Sequence, residues 1–165
     1  LSGKRVLDIG CGSGPYVAEA LRRGAAHVTG VDPAPRMLEL ARERVARLGQ
    51  SDRLSLVEGY FPDTDLAGSF DGAIVMGVLD YVGDPAAFLR RLATTVMHGA
   101  ALSFPSEHWF RTPLRKVRYR LRRCPVWFYT ERRIAEIMRA AGVARYDVRK
   151  IDGAGLDYFV TMRSG

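Results

Sequence analysis

The sequence predicts a single α/β domain of the doubly wound class. Its sheet should be seven-stranded and mostly parallel, closed by a C-terminal antiparallel hairpin. Three observations predict it. The apolar run Val6-Leu7-Asp8-Ile9 breaks directly into the glycine-rich turn Gly10-Cys11-Gly12-Ser13-Gly14. Short β-branched runs then alternate with stretches of helical spacing. Finally, two β-like runs flank Asp152-Gly153, a pair suited to a hairpin turn. Such alternation calls for parallel strands joined by right-handed crossovers.

Taken in order, residues 6–9 form the first strand and a helix begins near Pro15, with Val17, Ala20 and Leu21 as its inner stripe and Gly24 as its stop. Residues 28–31 are the second strand, ended by Asp32. Pro33 and Pro35 suit a helix start, and Met37, Leu38, Ala41, Val45 and Leu48 repeat at helical spacing up to Gly49. Residues 54–57 give a third strand with Glu58-Gly59-Tyr60-Phe61-Pro62 at its exit. Residues 71–76 give a fourth, nearly all apolar and so expected at the centre of the sheet. Asp84-Pro85 reads as N-cap and N1 of a helix with Phe88, Leu89, Leu92 and Val96 inward, ending at Gly99 with His98 at its negative pole. Residues 100–104 make the fifth strand. Thr130 caps a last helix carrying Ile134, Ile137, Met138 and Ala141, stopped by Gly142. The runs at 146–151 and 158–162 form the hairpin.

A chain of 165 residues suits one domain able to bury a sizeable core. No apolar run reaches the roughly 18 residues of a membrane span, and no signal peptide opens the chain, so a cytoplasmic protein is expected. The two cysteines, Cys11 and Cys124, have no companions at metal-ligand spacing, so no metal is expected. The chain starts at Leu1 without a Met and runs straight into a strand, which leads us to expect further chain upstream. The net charge of +7 is local: Arg111, Arg115, Lys116, Arg118, Arg120, Arg122 and Arg123, with no acid among them, account for the whole surplus.

The glycine turn and the acid closing the second strand describe a nucleotide-type site. A dinucleotide fingerprint wants its third glycine at the sixth place, where this chain has Pro15, and its extra glycine falls at Gly14. Asp8 at the strand tip would repel a pyrophosphate and attract an ammonium group. A ligand with a ribose, an aromatic base and a cationic amino-acid tail fits better, and S-adenosylmethionine has all three. In this reading Asp8 faces the cationic end, Gly10, Gly12 and Gly14 let the backbone approach, and Asp32 takes the two ribose hydroxyls. Cys11, inside that turn, reads as a packing residue rather than a nucleophile.

Asp8-x-Gly10-x-Gly12-x-Gly14 with Asp32 resembles the first two motifs of class I S-adenosylmethionine-dependent methyltransferases, in the small-molecule, ubiquinone-biosynthesis-like branch. Val57-Glu58-Gly59-Tyr60-Phe61 is similar to that family's adenine loop. Phe70-Asp71-Gly72-Ala73-Ile74-Val75-Met76-Gly77-Val78-Leu79-Asp80-Tyr81-Val82 resembles its fourth motif. The resemblance implies a Rossmann-like fold, S-adenosylmethionine as cofactor with S-adenosylhomocysteine as product, and direct methyl transfer. It adds Pro33, Met37, Gly59, Tyr60, Phe61, Met76 and Gly77 to the cofactor site. Two positions depart from the pattern: Tyr60 stands where an acid often holds the adenine amino group, which leaves stacking, backbone at Phe61, or Asp63. Asp80-Tyr81 replaces a common Glu-His pair.

The acceptor side should follow the fourth and fifth strands, at residues 77–81 and at Pro105-Ser106-Glu107-His108-Trp109-Phe110. Transfer to oxygen or nitrogen needs a proton removed, and His108, Glu107, Asp80 and Tyr81 are the candidate bases. Residues 105–129 read as an insertion on this side. Its basic helix, carrying Leu114, Val117 and Leu121 on one face, suits an anionic membrane surface, an anionic acceptor or RNA, or a plainly solvated face. A non-catalytic or RNA-associated S-adenosylmethionine-binding domain and an NAD-dependent oxidoreductase are the alternative functions. The acceptor and the oligomeric state are not legible.

Overall fold

A computed structural model of the chain describes residues 1–106, 126–150 and 157–164. Its elements are β1 (Arg5–Ile9), α1 (Pro15–Arg22), β2 (His27–Asp32), α2 (Pro35–Ala46), β3 (Leu54–Glu58), β4 (Phe70–Val75), α3 (Pro85–Thr95), β5 (Val96–Phe104), α4 (Glu131–Ala140), β6 (Arg145–Lys150) and β7 (Tyr158–Arg163). They build one seven-stranded sheet in the order β3-β2-β1-β4-β5-β7-β6. Only β7 runs against its neighbours, pairing antiparallel with β5 and with β6. The apolar β4 is the middle strand of the seven, as its sequence implies.

Side-chain alternation splits the core in two. Val6 and Val28 point to one face of the sheet with Val17, Leu21, Leu38 and Val45 of α1 and α2. Leu7, Ile9, Ala73, Val75, Leu102 and Val160 point to the other, with Phe88, Leu89 and Leu92 of α3 and Ile134 and Met138 of α4. Each fully buried leucine or phenylalanine here contributes about 1.5–3 kcal/mol of transfer free energy. Helix starts follow local chemistry. The Asp84 carboxylate accepts from the Ala87 N–H at 2.9 Å with Pro85 behind it, and the Thr130 hydroxyl accepts from the Arg133 N–H at 3.2 Å.

Three details differ from the sequence reading. α3 stops at Thr95 rather than Gly99, because the Thr94 and Thr95 hydroxyls both donate back to the Arg91 carbonyl (2.8 and 2.7 Å) and Val96 already pairs with Phe70 of β4. Gly99 is therefore a strand residue paired with Gly72, and a Cβ there would collide with the Met162 carbonyl of β7. His98 lies in β5 rather than at a helix pole, with Nε2 3.5 Å from the Asp71 carboxylate. Between β3 and β4, where regular alternation would place a helix, the chain runs as a loop over residues 59–69. The basic run 111–123, with His108 and Cys124, lies outside the described residues, as does the turn at Asp152-Gly153.

Candidate functional site

From β1 the chain winds outward to β2 and β3, then crosses back to β4 on the other flank of β1. This reversal opens a crevice beyond the carboxyl ends of β1 and β4, where ligands of such sheets bind. Ile9 is level with Val31 on one side and Val75 on the other, so the three strands end together. A cleft of about 580 Å³ occupies the place, within the ~300–1,000 Å³ typical of small-molecule sites.

At its base lies Gly10, the first residue of the glycine turn. Gly10 and Cys11 both donate to the Val31 carbonyl (2.8 and 3.1 Å), and Gly14 donates to the Cys11 carbonyl at 2.9 Å. Gly10, Gly12 and Gly14 all have positive φ, 67°, 53° and 74°. Their surroundings differ. A Cβ at Gly10 would strike the Val78 side chain, and one at Gly14 would sit 2.9 Å from Cβ of Ala41, so α2 packs directly on that backbone. A Cβ at Gly12 would meet nothing within 4 Å. Gly10 and Gly14 thus close the turn against the protein, while Gly12 leaves an open cradle. Cys11 is buried, and burial with the nearby Asp8 and Asp32 pushes its thiol up to about 12, a packing residue as its position suggests.

Asp32 ties that turn to the next helix. One carboxylate oxygen accepts from the Gly12 N–H and the other from the Ala34 N–H, both at 2.9 Å. The two oxygens are therefore not wholly free for ribose hydroxyls. Each keeps a second lone-pair direction, and the side chain lines the cleft. Asp8 sits elsewhere than expected. It is 1% exposed, is not among the cleft-lining residues, and takes a backbone hydrogen bond from Val17 in the first turn of α1. Its other oxygen is buried without a partner. Burial raises its pKa to about 7, with the Asp32 charge adding to the rise.

Of the other expected cofactor residues, Gly10, Pro33, Gly59, Tyr60, Phe61 and Gly77 line the cleft. Cys11, Gly12, Gly14, Met37 and Met76 do not, although Met37 stands exposed on the first turn of α2. Phe61 is buried edge-on against Phe88 at 5.0 Å, whereas Tyr60 is 69% exposed. Asp63, named as an alternative adenine partner, also lines the cleft. On the acceptor side Tyr81 lines the cleft, but Asp80 is 7% exposed, lies outside that lining, and is close enough to Tyr129 to raise its pKa. His108 is outside the described residues. Val78, within the expected acceptor-side run 77–81, does line the cleft; sequence reasoning overlooked Val82, which extends this apolar wall, and Tyr129, whose hydroxyl donates to the Leu79 carbonyl at 2.8 Å.

Residues 6–99 match the family model described as a methyltransferase domain. The chain belongs to that family. It is 39% identical over 104 residues to the ubiquinone biosynthesis O-methyltransferase of Methylocella silvestris, covering 62% of this chain and 39% of that protein. It is also 39% identical over 114 residues to the enzyme of the same name from Xanthomonas axonopodis pv. citri, covering 68% of this chain and 46% of that protein. The chain thus spans less than half the length of these curated relatives. Among solved structures, a magnesium protoporphyrin IX methyltransferase from Synechocystis with bound SAH superposes with a TM-score of 0.75 at 23% identity, over 99% of this chain and 75% of that one. An S-adenosylmethionine-dependent methyltransferase from Mesorhizobium loti gives 0.79 at 19% identity, over 98% and 91%. These last likenesses show the fold.

The methyltransferase family uses S-adenosylmethionine. Gly10 and Asp32, whose carboxylate accepts from the Gly12 N–H, both line the cleft where such a molecule would lie.

Proposed function

We propose that this chain is the cofactor-binding and catalytic domain of an O-methyltransferase for a small-molecule acceptor. The observation that carries the reading is one cleft with two unlike walls. Asp32, with Gly10 of the glycine turn, gives a polar part suited to a ribose, and Val78, Tyr81 and Val82 give an apolar, aromatic part. The relatives named ubiquinone biosynthesis O-methyltransferase support oxygen as the receiving atom.

When bound, S-adenosylmethionine supplies a methyl group already activated by its sulfonium charge. The protein's work is therefore orientation and exclusion of water. Asp32 anchors hydroxyls through its remaining lone pairs, with the amides of Gly12 and Ala34 fixing its carboxylate. Gly59, Tyr60 and Phe61 flank the adenine end, and Pro33 closes the rim. Tyr81 and the two valines hold the acceptor's apolar body. Among the described residues Tyr81, which lines the cleft, is our candidate to take the acceptor's proton, acting as its phenolate, and Asp80 would act from behind the wall rather than in it. Asp8 supports the turn from below, accepting from the Val17 N–H in the first turn of α1.

A cytoplasmic setting, with residues 111–123 contacting an anionic membrane or RNA and residues 105–129 completing the acceptor side, belongs to the same proposal. The absence of any described helix long and apolar enough to cross a membrane is compatible with it. Titration calorimetry tests the core of the reading: S-adenosylhomocysteine should bind at micromolar or better affinity, and NADH should not. Tight NADH binding with none of S-adenosylhomocysteine would return the site to the dinucleotide oxidoreductases.

A further inference from the structure

The apolar wall of the cleft belongs to the loop between β4 and α3, anchored at its centre by Leu79, which is fully buried in the core. Internally it has the Tyr81 N–H donating to the Val78 carbonyl at 2.9 Å. At its start the Gly77 N–H donates to the Ser103 hydroxyl at 2.8 Å. Its middle is held from outside, by the stretch that leads into α4. The Tyr129 hydroxyl donates to the Leu79 carbonyl at 2.8 Å, 50 residues away, in a buried bond. The Trp127 N–H donates to the Asp80 carbonyl at 2.9 Å, and the Trp127 ring lies 3.7 Å from where a Cβ on Gly83 would stand.

Tyr129 is itself rigidly mounted. It is 4% exposed, its N–H donates to the Pro105 carbonyl at 2.9 Å, and it bridges to Ser106 in parallel fashion. Its ring meets Phe104 of β5 edge-on at 5.1 Å. A post fixed to the end of β5 therefore grips the peptide between Val78 and Tyr81, both of which line the cleft. Burial and the nearby Asp80 charge push the phenol up to about 12, which keeps it a neutral donor across the working range.

We infer that Tyr129 is a positioning residue for ligand binding: by holding the Leu79 carbonyl it sets where Val78 and Tyr81 stand in the cleft. Val78 packs over Gly10 of the glycine turn, so without the hydroxyl the loop would sample positions that hold S-adenosylhomocysteine poorly, and apparent affinity would fall by the fraction of time spent there. The inference rests on the methyltransferase reading, so its test is arranged to separate the two. Tyr129→Phe keeps the ring and its packing and removes only the donor. In titrations with S-adenosylhomocysteine it should bind about three- to tenfold more weakly than the parent chain, the span expected for one lost buried hydrogen bond. Hydrogen exchange at the Tyr81 amide should speed up while exchange in α1 and α2 does not. A parent chain that fails to bind S-adenosylhomocysteine overturns the functional reading. A Tyr129→Phe chain with lowered Tm but unchanged affinity and unchanged Tyr81 exchange overturns this inference alone, leaving the residue merely structural.

Should that variant not fold, the parent chain answers the question. S-adenosylhomocysteine should slow exchange of the Trp127 amide, which lies outside the cleft lining and reports the grip on Asp80. An unchanged Trp127 amide with slowed exchange at Gly77 and Tyr81 would contradict the coupling.

Discussion

At the tips of β1 and β2 the cleft is shaped by bonds between near neighbours in sequence. Gly12 and Asp32 are 20 residues apart, Asp32 and Ala34 only two, and each contact is between backbone amides and one carboxylate. At the tip of β4 the opposite wall is gripped from Tyr129, 50 residues on, by a side chain bonded to a carbonyl. The first wall is a self-contained strand-turn-helix unit whose geometry glycines and an acid dictate. The second exists only once β5 and the stretch before α4 have docked. A site of this design builds one wall by local chemistry and leaves the other dependent on tertiary packing, and the two meet where Val78 packs over Gly10, so ligand affinity depends on both.

The largest expected effect lies beneath the first wall. Folded, Asp8 holds its proton up to about pH 7, whereas unfolded it loses it near 3.8. Between those values the folded chain binds more protons than the unfolded one, so this group's contribution to stability declines as pH rises through the window and is level above it. The decline is on the order of 4 kcal/mol, one pKa unit being about 1.4 kcal/mol. Denaturant melts from pH 4 to 8 should show it, and Asp8→Asn should flatten the profile and stabilise the chain at pH 8. A variant that is less stable than the parent at pH 8 would mean that the buried charge is compensated by a partner.

Gly14→Val comes next. It combines a positive φ with a collision against backbone and Cβ of Ala41, and should cost about 3 kcal/mol, read as a lowered Tm. Gly12→Ala is the milder contrast within the same turn. With nothing near its Cβ it should cost only about 1 kcal/mol of stability from backbone strain, yet weaken S-adenosylhomocysteine binding because a shifted Gly12 amide would loosen the Asp32 carboxylate that lines the cleft. Equal losses of affinity and stability in both variants would erase the distinction between a closing and a cradling glycine.

The same division explains what the sequence discloses. The glycine turn, Asp32, the central β4 and the caps Asp84 and Thr130 were all legible because each depends on residues within a few positions of itself. Gly99 was misread because a glycine after an apolar helical pattern looks like a helix stop. Only the pairing of β5 with β4 and β7 reveals it as a point of close approach between strands. Asp8 is legible as an unusual charge at a strand tip, but strand alternation turns it beneath the glycine turn toward α1 rather than into the cleft. Tyr129 carried no signal, since an aromatic residue before a helix cap is ordinary and its partner is a backbone carbonyl.

Asp32 joins turn, helix and cleft, so one titration tests the account most directly. The parent chain and Asp32→Ala would be titrated with S-adenosylhomocysteine at matched Tm-corrected temperature. Loss of a charged acceptor that holds two amides and faces the ligand should weaken binding by about a hundredfold, equivalent to about 3 kcal/mol. Unchanged affinity in a folded Asp32→Ala chain would contradict the placement of the cofactor in this cleft.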